Sequence, residues 1–148
     1  MSQTKYKLPD DLKVTCINLV RGYERRVLQY HNRRNEVLYS SSAPPDGQPR
    51  GSGTSNETLS KTQQLEYIET LFDSCAIKAV EQAKIAIGED MADEPRRNLQ
   101  TAIWDSCVMG KNFRLGHYDL AMGSNNFYER RRRFLHKIAD LMGFLDRL

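Results

Sequence analysis

Apolar residues recur at three- and four-residue steps through the first forty positions of the chain, as they do on one face of an α-helix. Pro9, Asp10 and Asp11 are typical of a helix start, because proline fits the first turn and acids favour its positive end. We therefore predict a long helix from about Pro9 to Leu38, within an N-terminal segment of residues 1–39. Its apolar stripe consists of Leu12, Cys16, Leu19, Val20, Tyr23, Val27, Tyr30 and Val37.

This stripe admits two interpretations. It can pack against another helix of the same chain, or it can form the seam of a homodimer. The spacing is not a strict heptad repeat, which favours packing within the chain over a coiled-coil seam. The sequence leaves both open.

A stretch rich in serine, proline and glycine follows over residues 40–60, with the sequence SSSAPPDGQPRGSGTSNETLS. Such residues interrupt helices, and a loop of this length is uncommon inside a compact domain unless it is functional or disordered. The composition predicts a flexible connector.

A second long helix is predicted from about Ser60 to Ile87, with Gly88 ending it. Small alanines in its C-terminal half allow a neighbouring helix to approach closely. The apolar face contains Leu65, Ile68, Leu71, Phe72, Cys75, Ala76, Ala79, Val80, Ala83 and Ile87.

A shorter third helix is predicted to begin at Ala92 or Asp93, to carry Pro95 in its first turn and to end at Gly110. The single tryptophan, Trp104, lies on its apolar face and is predicted to anchor the core. Residues 61–109 together are therefore expected to form a helical core.

The last forty residues, 110–148, carry a different pattern. The segment HYDLAM, residues 117–122, is predicted to be a short helix, and Ser124 is predicted to cap a longer helix after the break at Gly123. A short helix, a Gly-Ser turn and a longer helix are the parts of a helix-turn-helix. The residues expected to seat the longer helix on the core are Phe127, Phe134, Leu135, Ile138, Leu141 and Met142.

No strand-like alternation persists anywhere in the sequence. We therefore predict an all-α protein with two long, roughly antiparallel helices, a shorter third helix and a C-terminal helix-turn-helix.

Basic charge is concentrated in the C-terminal part of the chain. The net charge is only +3, but from Arg96 onward ten basic residues face five acidic ones, which leaves the remainder at −2. Arg130, Arg131, Arg132 and Arg133 are consecutive, and like charges on neighbouring turns weaken a helix unless something compensates. A polyanion compensates through counterion release, so the pattern favours nucleic acid over a merely solvated face.

Enzymatic chemistry is not predicted. The sequence contains no glycine-rich phosphate loop after a strand, no recognised nucleophile motif and no Cys/His pair with zinc spacing. We expect no metal and no cofactor.

The widely spaced Cys16, Cys75 and Cys107 are predicted to be buried free thiols in a reducing compartment. With no apolar leader and no long apolar run, the expectation is a cytoplasmic protein without membrane contact.

In a helix-turn-helix the N-terminal turns of the second helix enter the major groove, where Asn pairs with adenine, Arg with guanine and Glu with cytosine. Residues on those turns are therefore the candidates for base contact, and nearby cations are candidates for phosphates. The residues predicted to contact double-stranded DNA are Asn125, Asn126, Tyr128, Glu129, Arg130, Arg132 and Arg133, and the phosphate candidates are Lys111, Arg114, Arg131 and Lys137.

The chain resembles the phage late-gene transcriptional regulators of the RinA/ArpU type. The segments that carry the resemblance are VRGYERRVLQYH, PPDGQPRGSG, AIWDSCVMGKNF and GSNNFYERRRRFLHKIADLMGF. The second resembles the family's DGxPRG connector, and the last is similar to its S-x-x-T/S-F-Y-R-R-R-R-x-F-L-x-x-I-A pattern. The resemblance spans most of the chain and implies a small helical protein whose C-terminal helix-turn-helix is similar to region 4 of sigma-70 factors.

The resemblance implies a sequence-specific DNA-binding activator of phage or prophage late genes, acting in the bacterial host cytoplasm at the nucleoid. Two other classes stay open. One is a DNA-packaging or architectural protein similar to a small terminase subunit, which forms a closed ring. The other is an interaction module whose arginine face meets an acidic partner such as bacterial RNA polymerase.

Overall fold

The computed structural model describes residues 6–39 and 60–145, and the predicted connector over 40–60 lies outside the described residues except for Ser60. The described residues are helical and contain no strand, which confirms the all-α prediction. The six α-helices are α1 Asp10–Arg21, α2 Tyr23–Tyr39, α3 Lys61–Glu69, α4 Phe72–Ala86, α5 Asp93–Met109 and α6 Ser124–Leu141. Two short 3-10 helices, Gly110–Asn112 and Leu115–His117, precede α6.

These helices fall into two compact units. The first contains the described residues 6–23 and 76–145, and the second contains residues 24–39 and 60–75. The first unit therefore holds α1, most of α4, α5 and α6, including all residues predicted to contact DNA.

The prediction of one continuous helix from Pro9 to Leu38 is wrong. The helix is interrupted at Gly22, whose backbone N–H donates to Asn18 O at 2.9 Å and closes α1. Glycine has a low helix propensity because it loses more backbone entropy than other residues on folding. The apolar spacing continued across Gly22, so periodicity alone gave no sign of the break.

The second long helix is also interrupted, between α3 and α4. Thr70 and Leu71 separate the two helices, and Thr70 Oγ1 donates to Tyr67 O at 2.6 Å. Ser74 Oγ donates to Ile68 O, also at 2.6 Å. Hydroxyl groups that bond nearby carbonyls offer the backbone an alternative to the helix, and this explains the break.

In the second unit, residues of α2 run antiparallel to those of α3 and early α4, as predicted. Lys61 Nζ donates to Leu38 O at 3.0 Å, and Arg33 Nη1 lies 3.3 Å from Asp73 Oδ2. As the residue number falls along α2, from Leu38 to Arg33, the number of the partner rises from Lys61 to Asp73, so the helices are antiparallel. Ser60 and Gln63 form a capping box that fixes the start of α3.

The hydrophobic core of the first unit lies where α1, α4, α5 and α6 meet. Trp104 packs against it from the edge, which confirms its predicted place, and its ring meets Tyr23 edge to face at a centroid distance of 5.2 Å. Fully or nearly fully buried core side chains include Cys16, Val20, Val80, Leu99, Ile103, Cys107, Phe127, Phe134, Leu135 and Ile138.

Side chains of α5 and α1 satisfy the ends of neighbouring helices. Arg96 Nε donates to Ile87 O at 3.1 Å, and Gln100 Nε2 donates to Lys84 O at 3.0 Å, so α5 caps the C-terminus of α4. Arg21 Nε similarly donates to Cys107 O at 2.9 Å. Gly110, with φ of +57°, ends α5 as predicted, and a Cβ there would lie 2.7 Å from Arg21 Nη2.

Several local predictions near α6 are wrong. The short helix expected over 117–122 is not formed; the 3-10 helix Leu115–His117 ends as that segment begins, and residues 118–123 contain no helix. Ser124 is the first helical residue rather than the cap, and the cap residue Gly123 supplies no side chain. Leu141 is 39% exposed and does not belong to the core.

Of the three cysteines, Cys16 and Cys107 are buried and Cys75 is exposed, so the prediction of burial is wrong for Cys75. All three are free thiols, as predicted. Within residues 6–39 and 60–145, no helix has the length and apolar character needed to cross a bilayer.

Candidate nucleic-acid interface

Helix α6 is held on the first unit by one apolar side. Phe127, Phe134 and Ile138 are buried on that side, at helical spacings that place them in one stripe. The ring of Phe113, from the segment before α6, stacks on Phe127 at a centroid distance of 5.7 Å. Leu135 is buried as well, so four of the six residues predicted to seat the helix do so, and the opposite side of α6 faces outward.

The first turns of α6 present polar side chains to solvent. Asn125 and Asn126 are exposed, and Tyr128 is 40% exposed. Gly123 provides no side-chain hydrogen bond to the helix start, and the first turn contains no acid. The backbone N–H groups there retain the positive end of the helix dipole, which favours an anion.

Arg130 is bound to Asp90, a residue of the loop between α4 and α5. Its Nη1 and Nη2 donate to the two carboxylate oxygens of Asp90 at 3.1 and 3.0 Å, and its Nε donates to Asn126 Oδ1 at 3.2 Å. The hydrogen bonds from Arg130, a backbone hydrogen bond and the guanidinium charge lower the pKa of Asp90 to about 2. Arg130 is therefore held by the protein itself.

Arg131 points toward the inner side of the helix. Its Nε donates to the hydroxyl of Ser106 on α5 at 2.9 Å, a contact that is partly buried. A snorkelling arginine would keep its charged group in water, whereas this one donates to a buried hydroxyl, so the expectation that Arg131 snorkels is wrong.

Arg132 and Arg133 share one carboxylate, that of Glu129. Arg132 Nη1 lies 3.1 Å from Glu129 Oε1, and Arg133 Nε lies 3.6 Å from Oε2. Both arginines keep substantial exposure, at 42% and 57% of their side-chain surface. Ion pairs this exposed contribute little stability, so these two guanidinium groups can exchange Glu129 for another anion at small cost.

The aromatic ring of Tyr6 lies against the middle of this outward face. Its centroid is 5.1 Å from Arg133 Cζ and 5.4 Å from the ring centroid of His136. Tyr6 comes from the segment before α1, so this segment crosses α6 near Arg133 while the first turns stay uncovered. Tyr6 was not among the predicted residues, because nothing in the sequence around it indicates contact with a helix more than a hundred residues away.

The remaining phosphate candidates lie around this face. Lys137 and Lys111 are exposed, and neither ammonium makes an ion pair or hydrogen bond to the described residues. Arg114 bends back onto its own loop, since Nη1 donates to Lys111 O at 2.8 Å and Phe113 O at 3.0 Å. The stacking of Phe113 on Phe127 places this loop beside the first turn of α6.

No protein-family model, curated protein or solved structure matches this chain. The chemistry of this surface therefore has to be judged from its own residues.

A cleft of about 500 Å³ separates the C-terminal end of α4 from α6. Arg130, Arg133 and Lys137 contribute positive charge to its walls, and Glu89 and Asp90 contribute negative charge. Among the described residues, no group of three or more His, Cys, Asp or Glu side chains is arranged to hold a metal ion.

The structure thus divides the predicted DNA-contacting residues into two groups. Asn125, Asn126, Tyr128, Arg132 and Arg133 lie on α6 with accessible polar groups, whereas Arg130, Arg131 and Arg114 are committed to internal hydrogen bonds. Asp90 was not among the predicted residues, because sequence spacing does not reveal which arginine a distant carboxylate will meet.

Proposed function

We propose that the chain is a sequence-specific regulator of transcription that binds double-stranded DNA with the outward face of α6. The observation that carries this proposal is the uncovered first part of α6, where Asn125 and Asn126 project from a helix whose other side is buried in the core, with the exposed Arg133 further along the same helix. A helix with one buried side and a polar, basic outer side can enter the major groove without rearranging the fold.

The chemistry of the first turns suits base edges. An asparagine amide can both accept and donate, which matches adenine, and arginine matches guanine. In this structure Arg130 donates to the amide oxygen of Asn126, while the Asn126 NH2 group makes no hydrogen bond to the described residues. Asn126 is therefore oriented with its donor available.

The charge of the surface supports a polyanion but is reduced by two of the protein's own carboxylates, Asp90 and Glu129. A duplex brings a dense row of phosphates, and released counterions favour its binding. Arg132 and Arg133 bind Glu129 through exposed ion pairs, and Arg133 also lies over the Tyr6 ring, so phosphates can replace Glu129 as the partner of either arginine.

The likeness to sigma-70 region 4, and with it the proposal of an activator of phage or prophage late genes, rests on the resemblance to the RinA/ArpU type. A helix-turn-helix needs a helix before the recognition helix, and α5 is the α-helix that precedes α6. Residues 110–123 connect them and form a longer connection than the turn of about three or four residues in the usual motif.

Fluorescence anisotropy with a labelled duplex of about 20 base pairs and mixed sequence, at low salt, tests the proposal. We expect wild-type protein to bind, and Arg133→Ala to weaken binding roughly 5- to 150-fold if Arg133 reads a base, which corresponds to about 1–3 kcal/mol. Arg97→Ala is the matched control, because Arg97 is exposed on α5 outside this surface. Absence of duplex binding by the wild type, or equal losses for the two variants, contradicts the proposal.

A further inference from the structure

A second, smaller pocket lies where the segment before α1 meets α6. Its volume is about 220 Å³, and its charged walls are Lys7, Lys13, Arg132 and the single acid Asp10. The apolar side chains of Leu8 and Leu135 also line it, and both are buried. Three cations therefore converge on a pocket that contains one carboxylate.

Two of those cations have no internal partner. Lys7 and Lys13 are exposed, and their ammonium groups form no hydrogen bond or ion pair with the described residues. Arg132 is bound only to Glu129, at 3.1 Å. Lys7, Lys13 and Arg132 repel one another unless anions lie between them, and Asp10 is the one carboxylate among the residues that line the pocket.

The position of the pocket indicates which anion it binds. Arg132 follows Tyr128 by four residues, so the two side chains are neighbours on the helix surface. The pocket thus borders the first turns of α6, at the distance of one helical turn from the side chains proposed to face the bases. Proteins that read bases hold the neighbouring backbone phosphates with lysine and arginine.

We infer that Lys7, Lys13 and Arg132 form a binding site for a backbone phosphate of the duplex that α6 contacts. This inference rests on the proposed function and extends it, because it brings the segment before α1 into the interface. The site is specific for a phosphodiester group and carries no base specificity.

The test measures the dissociation constant of the mixed-sequence duplex as a function of salt concentration for the full-length protein. The double variant Lys7→Gln/Lys13→Gln is compared with Lys78→Gln/Arg97→Gln, which removes two exposed charges of α4 and α5 outside the pocket. Each lost phosphate contact lowers the slope of log K against log salt by about 0.9. We expect the pocket variant to lose about 0.9 in slope, the value for one phosphate contact, and roughly tenfold in affinity near 0.1 M salt.

The outcomes separate this inference from the proposed function. If the wild type binds and Arg133→Ala weakens binding, but the pocket variant behaves like its control, the phosphate site is refuted and the proposed function stands. If the wild type does not bind a duplex, both fail. If inorganic phosphate perturbs the amide signals of Lys7 and Lys13 while the salt slope is the same in wild type and pocket variant, the pocket binds free phosphate and the backbone assignment is overturned.

Discussion

The carboxylate of Asp90 accepts two hydrogen bonds from the guanidinium of Arg130, at 3.0 and 3.1 Å, and the Nε of that guanidinium donates to Asn126. The paired geometry is the same as that of arginine with a phosphate group. Asp90 therefore occupies the place on Arg130 that a phosphate of the proposed duplex would take. Asp90, in the loop after α4, thus lowers the positive charge of this surface. Through Arg130 it also orients the Asn126 side chain on the first turn of α6.

We predict that Asp90→Asn increases the affinity for a mixed-sequence duplex several-fold at low salt. The substitution removes a negative charge from the surface and frees the Arg130 fork for a phosphate, so the salt slope should steepen by about 0.9. Anisotropy titrations over a range of salt concentrations measure both quantities.

The control for this prediction is Glu89→Gln. Glu89 precedes Asp90, is exposed and lines the same cleft, so its replacement removes the same charge without freeing Arg130. We expect its salt slope to equal that of the wild type. An Asp90→Asn protein that binds no more tightly than the Glu89→Gln protein would show that Arg130 does not take part.

The Asp90–Arg130 pair also predicts a pH dependence. Because the pKa of Asp90 is lowered to about 2 in the folded protein, its contribution to stability is complete above about pH 4, the range of an unfolded aspartate, and is lost as the pH falls toward 2. NMR titration of the Asp90 carboxylate should give a midpoint near 2. A midpoint near 4 would mean that the pair is not maintained in solution.

Because one side of α6 is buried, truncating two of its apolar side chains should lower the free energy of unfolding by very different amounts. Phe127→Ala removes a fully buried ring stacked on Phe113 and should lower the free energy of unfolding by about 3–5 kcal/mol. Leu141→Ala, at an exposed position of the same helix, should cost less than about 1 kcal/mol. Urea denaturation monitored by circular dichroism compares them, and equal losses would contradict the assigned orientation of α6.

The three cysteines are predicted to differ in reactivity toward a thiol reagent. Burial raises the pKa of Cys16 to about 11 and also raises the pKa of Cys107, so at pH 8 only about one in a thousand Cys16 side chains is a thiolate. Cys75 is exposed. We expect one thiol to react rapidly in the folded protein and two more only after denaturation; three fast thiols would contradict the burial of Cys16 and Cys107.

Much of the helical architecture could be predicted from apolar spacing, because a helix that buries one side must repeat its apolar residues every three to four positions. The start of α6 near Ser124 and the end of α5 at Gly110 were predicted to within a residue from capping and glycine signals. The breaks at Gly22 and Thr70 were not, since the stripes continue through them and the decisive hydrogen bonds at Thr70 and Ser74 are local alternatives to the helix.

The candidate site was predictable only in part. The sequence placed Asn125 and Arg133 opposite the apolar side of α6 and Asn126 on its flank, and all three are exposed in the structure. It could not show that Asp90 binds Arg130 or that Tyr6 lies against Arg133, because these contacts join residues far apart in the chain. The four consecutive arginines also differ in their partners, which spacing does not reveal: Arg130 binds Asp90, Arg131 donates to Ser106, and Arg132 and Arg133 share Glu129.

The central claim is that the outward first turns of α6 contact duplex DNA. Amide chemical-shift mapping of isotope-labelled protein, titrated with a mixed-sequence duplex at low salt, tests this claim most directly. We predict shifts concentrated at Asn125, Asn126, Tyr128 and Arg133, with smaller changes in α2 and α3. Shifts confined to α2 and α3, or no shifts at all, would contradict the claim.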